Sequence, residues 1–444
     1  MTLRVFLRSF LSFVALALAG CGSANVPSGS ASGPGAVTPA SGTPIRHVII
    51  VVQENRSFDN LFNGYPGADT VASGTRYDGS SVALQPVPLE DGRDVGHFHY
   101  SFDLAYDAGR LDGFEFEQSY GIVHGAYQVV PEPPTLPFAY VPSAETKPYW
   151  ALANGFTLAD RMFQSNSGPS YTAHQYLIAG QSADADEVPT SAVWGCDAAP
   201  GSTVPVLVNG VDTGGIFPCF GYATIADELD AAHVDWRFYQ PPASDPSARQ
   251  FSAFDAVRQI RFGPDWKTKI VSPETTIFSD LTSGNLPAVS YLIPQFANSD
   301  HALAHSNTGP SWITAVVNAV GASPYWNSTA ILITWDDWGG WYDHVNPPQL
   351  DGMGLGFRVP LLVVSPYAKH GYVSHVRHEF GSILRFTEET FGLPSLGTAD
   401  SRADDLSDCF DFTQPPAPFH AFQAPVPASV LLRMPETGEA PDPI

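Results

Sequence analysis

His47-Val-Ile-Ile-Val-Val-Gln-Glu-Asn-Arg-Ser-Phe-Asp59 is the stretch on which the fold turns. Val48 to Val52 is an unbroken aliphatic run without helical period, the pattern of a strand buried on both faces. It breaks off into Gln53, Glu54, Asn55 and Arg56. Ala330-Ile-Leu-Ile-Thr-Trp-Asp-Asp337 does the same almost three hundred residues later. Ala288 to Ile293 and Pro360 to Ser365 are further runs of this kind, and His233 to Tyr239 is a weaker one with some alternation. Helical patterns fall between them. Thr224 to Ala232 opens on a Thr and has apolar positions at helical spacing. Ser311 to Val320 and His378 to Phe391 also read as helices, the second with Phe380, Ile383, Leu384, Thr387 and Phe391 on one face. This alternation predicts an α/β fold, a three-layer α/β/α sandwich around a mostly parallel central sheet.

The chain has 444 residues, 44% of them hydrophobic, enough to build a large core. The net charge of -24 argues against nucleic acid or anionic membrane as a general partner. It leaves a phosphate ligand open, because a bound cation dominates its own surroundings. Arg4 and Arg8 flank and interrupt an apolar run that ends Leu18-Ala-Gly-Cys21. Residues 1–20 read as a signal peptide of lipoprotein type, with Cys21 as the lipidated residue; an ordinary signal peptide is the simpler alternative. Residues 21–44 are a Ser/Gly/Pro/Ala tether. Residues 45–425 form the expected catalytic domain, with loop-rich insertions at 64–96 and 181–222, and 426–444 form a tail. The expected location is outside the cytoplasm, at the periplasmic or cell surface and anchored to a membrane. In that setting Cys196 and Cys219, flanking a Gly/Pro/Val-rich loop, are expected to pair, and closing such a loop contributes about 3 kcal/mol in the chain-entropy model. Three reduced, buried cysteines are the alternative; Cys409 has no evident partner.

The chemistry gathers in four places. Glu54 with Asn55, and Asp336 with Asp337, each follow a strand. Ligands bind beyond the carboxyl ends of strands in open α/β sheets. Adjacent carboxylates repel unless a proton or cation lies between them, and oxygen-rich ligands suit a divalent ion. Asp-Asp after a strand is also a common turn or cap. The third place is Ala159-Asp-Arg-Met-Phe-Gln-Ser-Asn-Ser-Gly-Pro-Ser170. Gly168-Pro169 forces a turn, and Ser170 falls at the start of the following helix. There it is either a helix cap or a nucleophile beside backbone N–H groups that favour an anion. The fourth is a set of loop histidines: His97, His99, His301, His305 and His344. His174, His233, His375 and His378 read as structural.

Taken together these pieces resemble a family of bacterial phosphoesterases that includes phospholipases C and acid phosphatases of the acid phosphatase A kind. Gln53-Glu-Asn-Arg-Ser-Phe-Asp59, Gly109-Arg-Leu-Asp-Gly-Phe114, Leu158 through Ser170, Asn298-Ser-Asp-His301, Trp335-Asp-Asp-Trp-Gly-Gly-Trp-Tyr-Asp-His-Val345 and Gly356-Phe-Arg-Val-Pro360 carry the resemblance, in order. It implies an alkaline-phosphatase-like fold and one divalent metal ion of unknown identity held by Glu54, Asn55, Ser170, Asp336 and Asp337. Ser170 would be the nucleophile. His97 and His301 would contact the phosphoryl group, His301 as acid for the leaving oxygen, with His99 and His344 as further substrate contacts. Asp337 and Trp338 stand where relatives often have Glu and His, and Tyr171-Thr-Ala173 replaces a Pro-Asn element. Little sequence follows residue 415, so the accessory modules of some longer phospholipases are expected to be absent.

The expected reaction is a metal-dependent, two-step phosphoester hydrolysis through a phosphoserine. Its substrate is a phosphate monoester or a phospholipid. The rival from another class is a non-catalytic surface lipoprotein that keeps the fold as a binding scaffold.

Overall fold

The computed structural model describes residues 42–435 apart from 92, 125 and 209. The expected signal segment, Cys21 and most of the tether lie outside the described residues.

Eight strands form the central sheet: β1 His47–Gln53, β2 Thr157–Ala159, β3 Trp236–Tyr239, β4 Ile270–Val271, β5 Val289–Leu292, β6 Thr329–Trp335, β7 Leu361–Val364 and β8 Tyr372–Ser374. Their order is β4-β3-β5-β1-β6-β7-β2-β8, and β7 alone runs against the others. The aliphatic runs thus became strands because burial on both faces removes any need for a polar alternate position. Every residue of β6, and all of β1 but its first, is buried. The weaker run at His233 starts later than its sequence suggested, at Trp236, after a turn in which His233 has a positive φ.

The helices that matter to the site are α1 Phe58–Phe62, α2 His99–Tyr106, α3 Lys147–Gly155, α4 Ser170–Ala179, α5 Ile225–Ala231, α6 Gly309–Gly321 and α7 Phe380–Phe391. α4 packs on α7, and α3 on α6. Thr224 caps α5 through a reciprocal pair of bonds with Asp227. The helix expected from His378 begins two residues later. His378–Glu379 instead pairs with Met162–Phe163, and the Glu379 side chain caps α7. The apolar face expected of α7 is buried in full.

Cys196 and Cys219 are joined by a disulfide, and Cys409 is free and buried. No helix among the described residues is long and apolar enough to cross a membrane.

Candidate active site

The site follows from strand register. β1 and β6 are parallel neighbours with Gln53 opposite Trp335, so Glu54-Asn55 and Asp336-Asp337 leave the sheet side by side. The Asp336 N–H donates to the Gln53 carbonyl (2.9 Å), and the Asn55 N–H donates to Asp336 Oδ1 (2.9 Å). Asn55 sits at φ 56°, a left-handed conformation that Asn tolerates better than most residues. Gly339 makes room for it: a Cβ there would fall 2.1 Å from the Asn55 carbonyl oxygen. β5, on the other side of β1, leads to Asn298-Ser-Asp-His301, and the Glu54 N–H donates to the Ser299 carbonyl (2.8 Å).

Ser170 comes from the same end of the sheet, beyond β2. It opens α4 without capping it. Its Oγ donates instead to Asp337 Oδ2 (3.0 Å), whose other oxygen accepts from the Gly339 N–H (2.7 Å). Of the two sequence readings of Ser170, the cap is therefore set aside. One turn further along α4, His174 Nε2 lies 3.2 Å from Glu54 Oε1 and 3.8 Å from Asp336 Oδ2. This corrects the reading of His174 as structural. Its spacing of four from Ser170 puts both on one helix face, a signal present in the sequence.

Glu54, His174 and Asp336 bring ligand atoms within 4.8 Å of one another, all buried. The Asn55 amide sharpens the picture. With its oxygen toward the carboxylates it stands 3.1 Å from Glu54 Oε2 and 3.2 Å from Asp336 Oδ1, while its nitrogen faces His97 Nε2 at 2.9 Å. Turned over, it would donate to both carboxylates and accept from His97. His97 Nδ1 faces the Val95 carbonyl (2.8 Å), which only accepts, so Nδ1 carries a proton. In the neutral tautomer Nε2 accepts from the Asn55 nitrogen. In that orientation the amide oxygen converges with the Glu54 and Asp336 carboxylate oxygens, and Asp336 Oδ2 is buried without a hydrogen bond. A divalent cation satisfies all of these atoms at once, so the residues present fit one.

His301 is buried, with its ring centroid 6.3 Å from that of His97. Its Nδ1 accepts from the Leu303 N–H (3.2 Å), which leaves the proton of the neutral ring on Nε2. Arg56, unassigned from sequence, is wholly buried. It donates to the Asp300 carbonyl (2.9 Å), to Leu89 O and to Asn60 Oδ1, and lies over Trp341. It ties the end of β1 to the loop that carries His301. Asp300 itself accepts from Tyr149 and Trp335, and burial raises its pKa to about 6.

His99 lies beside the Ser170 loop, its Nδ1 3.0 Å from Ser167 Oγ. Its backbone N–H donates to Glu187, whose pKa burial raises to about 8. The hydrogen-bond partners of His344 are not those of the Ser170 set. It bonds Asp59 (2.6 Å) and Asp69 (3.1 Å) in a network with Asp343 and Arg358. Arg358 holds Asp343 with two bonds, so the cation of that network is a guanidinium. Trp338 points into an aromatic cluster with Phe114 and Phe357.

The Phosphoesterase family profile matches residues 45–394. A hemolytic phospholipase C of Pseudomonas aeruginosa is 26% identical over 435 residues, 83% of this chain and 56% of that protein. Phospholipase C A of Mycobacterium tuberculosis is 25% identical over 433 residues, covering 84% of this chain and 78% of the relative. The chain thus spans little more than half the length of the Pseudomonas relative. Among solved structures, a protein in the alkaline phosphatase superfamily from Vibrio parahaemolyticus aligns with a TM-score of 0.38 and 11% identity over 82% of this chain and 72% of its own. With the profile covering most of its length, this chain belongs to the Phosphoesterase family.

Proposed function

We propose that the protein is a metal-dependent phosphoester hydrolase that works through a phosphoserine on Ser170, with the phosphodiester of a phospholipid as its preferred substrate class. The observation that carries this reading is the bond from Ser170 Oγ to Asp337, next to the Glu54, Asn55, Asp336 and His174 set. The similarity to proteins named phospholipase C supports the diester. A scaffold without chemistry has no need for a buried hydroxyl aimed at this set.

A bound divalent ion would supply the positive charge that makes the serine hydroxyl nucleophilic and offsets charge on the phosphoryl oxygens. Glu54, Asn55, Asp336 and Asp337 would hold it, with Ser170 facing it and His174 against Glu54. The first turn of α4 turns its N–H groups toward an anion at Ser170. Ser170 Oγ attacks phosphorus in line as its proton passes to Asp337, to which it already donates; the Oγ–P bond forms as the bond to the leaving alcohol oxygen breaks. That oxygen leaves with the proton that Ser170 gave up, the His301 Nε2–H donates a hydrogen bond to it, and His97 lies against Asn55, which it keeps turned toward the carboxylates. Water then attacks the phosphoserine and restores Ser170.

The test is a panel of chromogenic mono- and diesters assayed on protein of measured metal content. Turnover should vanish on chelation, return with a divalent ion and be faster on a phosphorylcholine-type diester than on a monoester. Metal-replete protein inactive on both classes would overturn the proposal.

A further inference from the structure

A second group of metal-ligating side chains lies outside this site. His378, Asp408 and Cys409 bring one ligand atom each within 4.8 Å of one another. His378 precedes α7, and Asp408 and Cys409 lie on a turn packed against the end of β8. We propose that His378 Nε2, Cys409 Sγ and an Asp408 carboxylate oxygen bind a borderline divalent cation of the Zn2+ type, which fastens the 404–409 segment to the sheet edge.

Three observations carry the proposal. The first is spacing. His378 Nε2 is 3.4 Å from Asp408 Oδ1, Cys409 Sγ is 3.6 Å from the same oxygen, and Sγ to Nε2 is 4.0 Å. Zinc bonds of about 2.3 Å to sulfur and about 2.0–2.1 Å to nitrogen or oxygen give tetrahedral edges of roughly 3.3–3.6 Å. Two of the three edges agree with this, and the third must close by a few tenths of an ångström. The nitrogen–oxygen separation is also longer than an ordinary N–H···O hydrogen bond.

The second is orientation. His378 Nδ1 lies 2.8 Å from Asp404 Oδ1, a carboxylate on the far side of the ring from the donor set. A carboxylate there holds the Nδ1 proton and turns the Nε2 lone pair toward a metal. Nε2 has Ser374 Oγ at 3.1 Å, and that hydroxyl is itself 2.5 Å from Asp408 Oδ2. The serine is placed either to complete the coordination or to hold Asp408.

The third is burial. His378 and Cys409 are wholly buried, whereas the side chains of Asp404 and Asp408 are 28% and 21% exposed, so an ion has an entry path along the carboxylates. A metal takes the sulfur as thiolate, so binding releases the thiol proton to solvent.

The thiolate makes this site chemically distinct from the oxygen- and imidazole-lined active site. Soft sulfur selects Zn2+ over Mg2+, Ca2+ or Mn2+. It also provides a spectroscopic handle, because a Co2+ ion bound by thiolate has a near-ultraviolet charge-transfer band that oxygen and nitrogen ligands do not give. The full chain, stripped by chelation and dialysed against Co2+, should show this band. The band should persist in Asp336→Asn and disappear in Cys409→Ser. Elemental analysis after dialysis against Zn2+ should find one equivalent fewer in both Cys409→Ser and His378→Gln than in the unaltered chain. No band in the unaltered chain, a band that survives Cys409→Ser, or a zinc content unchanged in His378→Gln would each overturn the assignment.

Discussion

At the scale of single residues, His174 and Gly339 carry more of the site than their sequence context suggests. His174 stands 3.2 Å from Glu54, either as a ligand or as the donor that orients that carboxylate. Replacing it with Ala should weaken binding of the active-site ion roughly 10- to 100-fold, the usual cost of losing an orienting partner. A competition titration with a metal indicator measures this, and an unchanged affinity would remove His174 from the site. Its immediate neighbours in sequence do not mark it as part of the site. Helical spacing from Ser170 would have found it. Gly339 has a φ of +64°, and a Cβ there would collide with the Asn55 carbonyl. The backbone conformation alone costs a non-glycine residue roughly 1–3 kcal/mol. Gly339→Ala should therefore lower the urea midpoint and loosen metal binding together. A variant that keeps both would show that Asn55 does not depend on this close approach.

At the scale of elements, the strands were legible because a strand buried on both faces leaves a plain mark in sequence. Val48 to Val52 and Ala330 to Ile333 needed no partner information to be read. What followed them was legible too: polar residues at the carboxyl ends of adjacent parallel strands have one place to go. The turn to polar residues after Val52 makes sense in the register of β1 with β6, which sets Glu54-Asn55 beside Asp336-Asp337. Arg56 and Asp59 were not legible, because their partners lie far along the chain. Arg56 reaches Asp300, and Asp59 meets His344 and Arg358. For the same reason α7 starts two residues later than its apolar period suggests. The pairing of His378 with Arg161 and Met162 overrode a helical period that extended through it.

At the scale of the whole molecule, buried charge makes stability depend on pH. Burial alone would lower the His344 pKa; the hydrogen bond and charge of Asp59, with Asp343, more than reverse this and raise it. Burial raises the Asp59 pKa, Asp343 adds to it, and His344 and Arg358 offset only part. Both groups hold protons more tightly folded than unfolded. The His344 contribution is complete below its unfolded value near 6.5 and is lost as pH rises through the higher folded value. Asp59 acts with the same sign, since an acid with a raised pKa removes stability as pH climbs past its unfolded value. The urea midpoint should therefore fall as pH rises above 6.5, and His344→Asn should flatten that slope. A slope unchanged in the variant would assign the dependence to other groups. The account as a whole rests on Ser170 as the attacking group within a metal-held site. The most direct measurement is turnover of a chromogenic phosphate diester by Ser170→Ala, compared with the unaltered chain at matched metal content and matched circular dichroism. A loss on the order of 10³-fold or more is predicted; turnover within a few-fold of the unaltered chain would contradict the account.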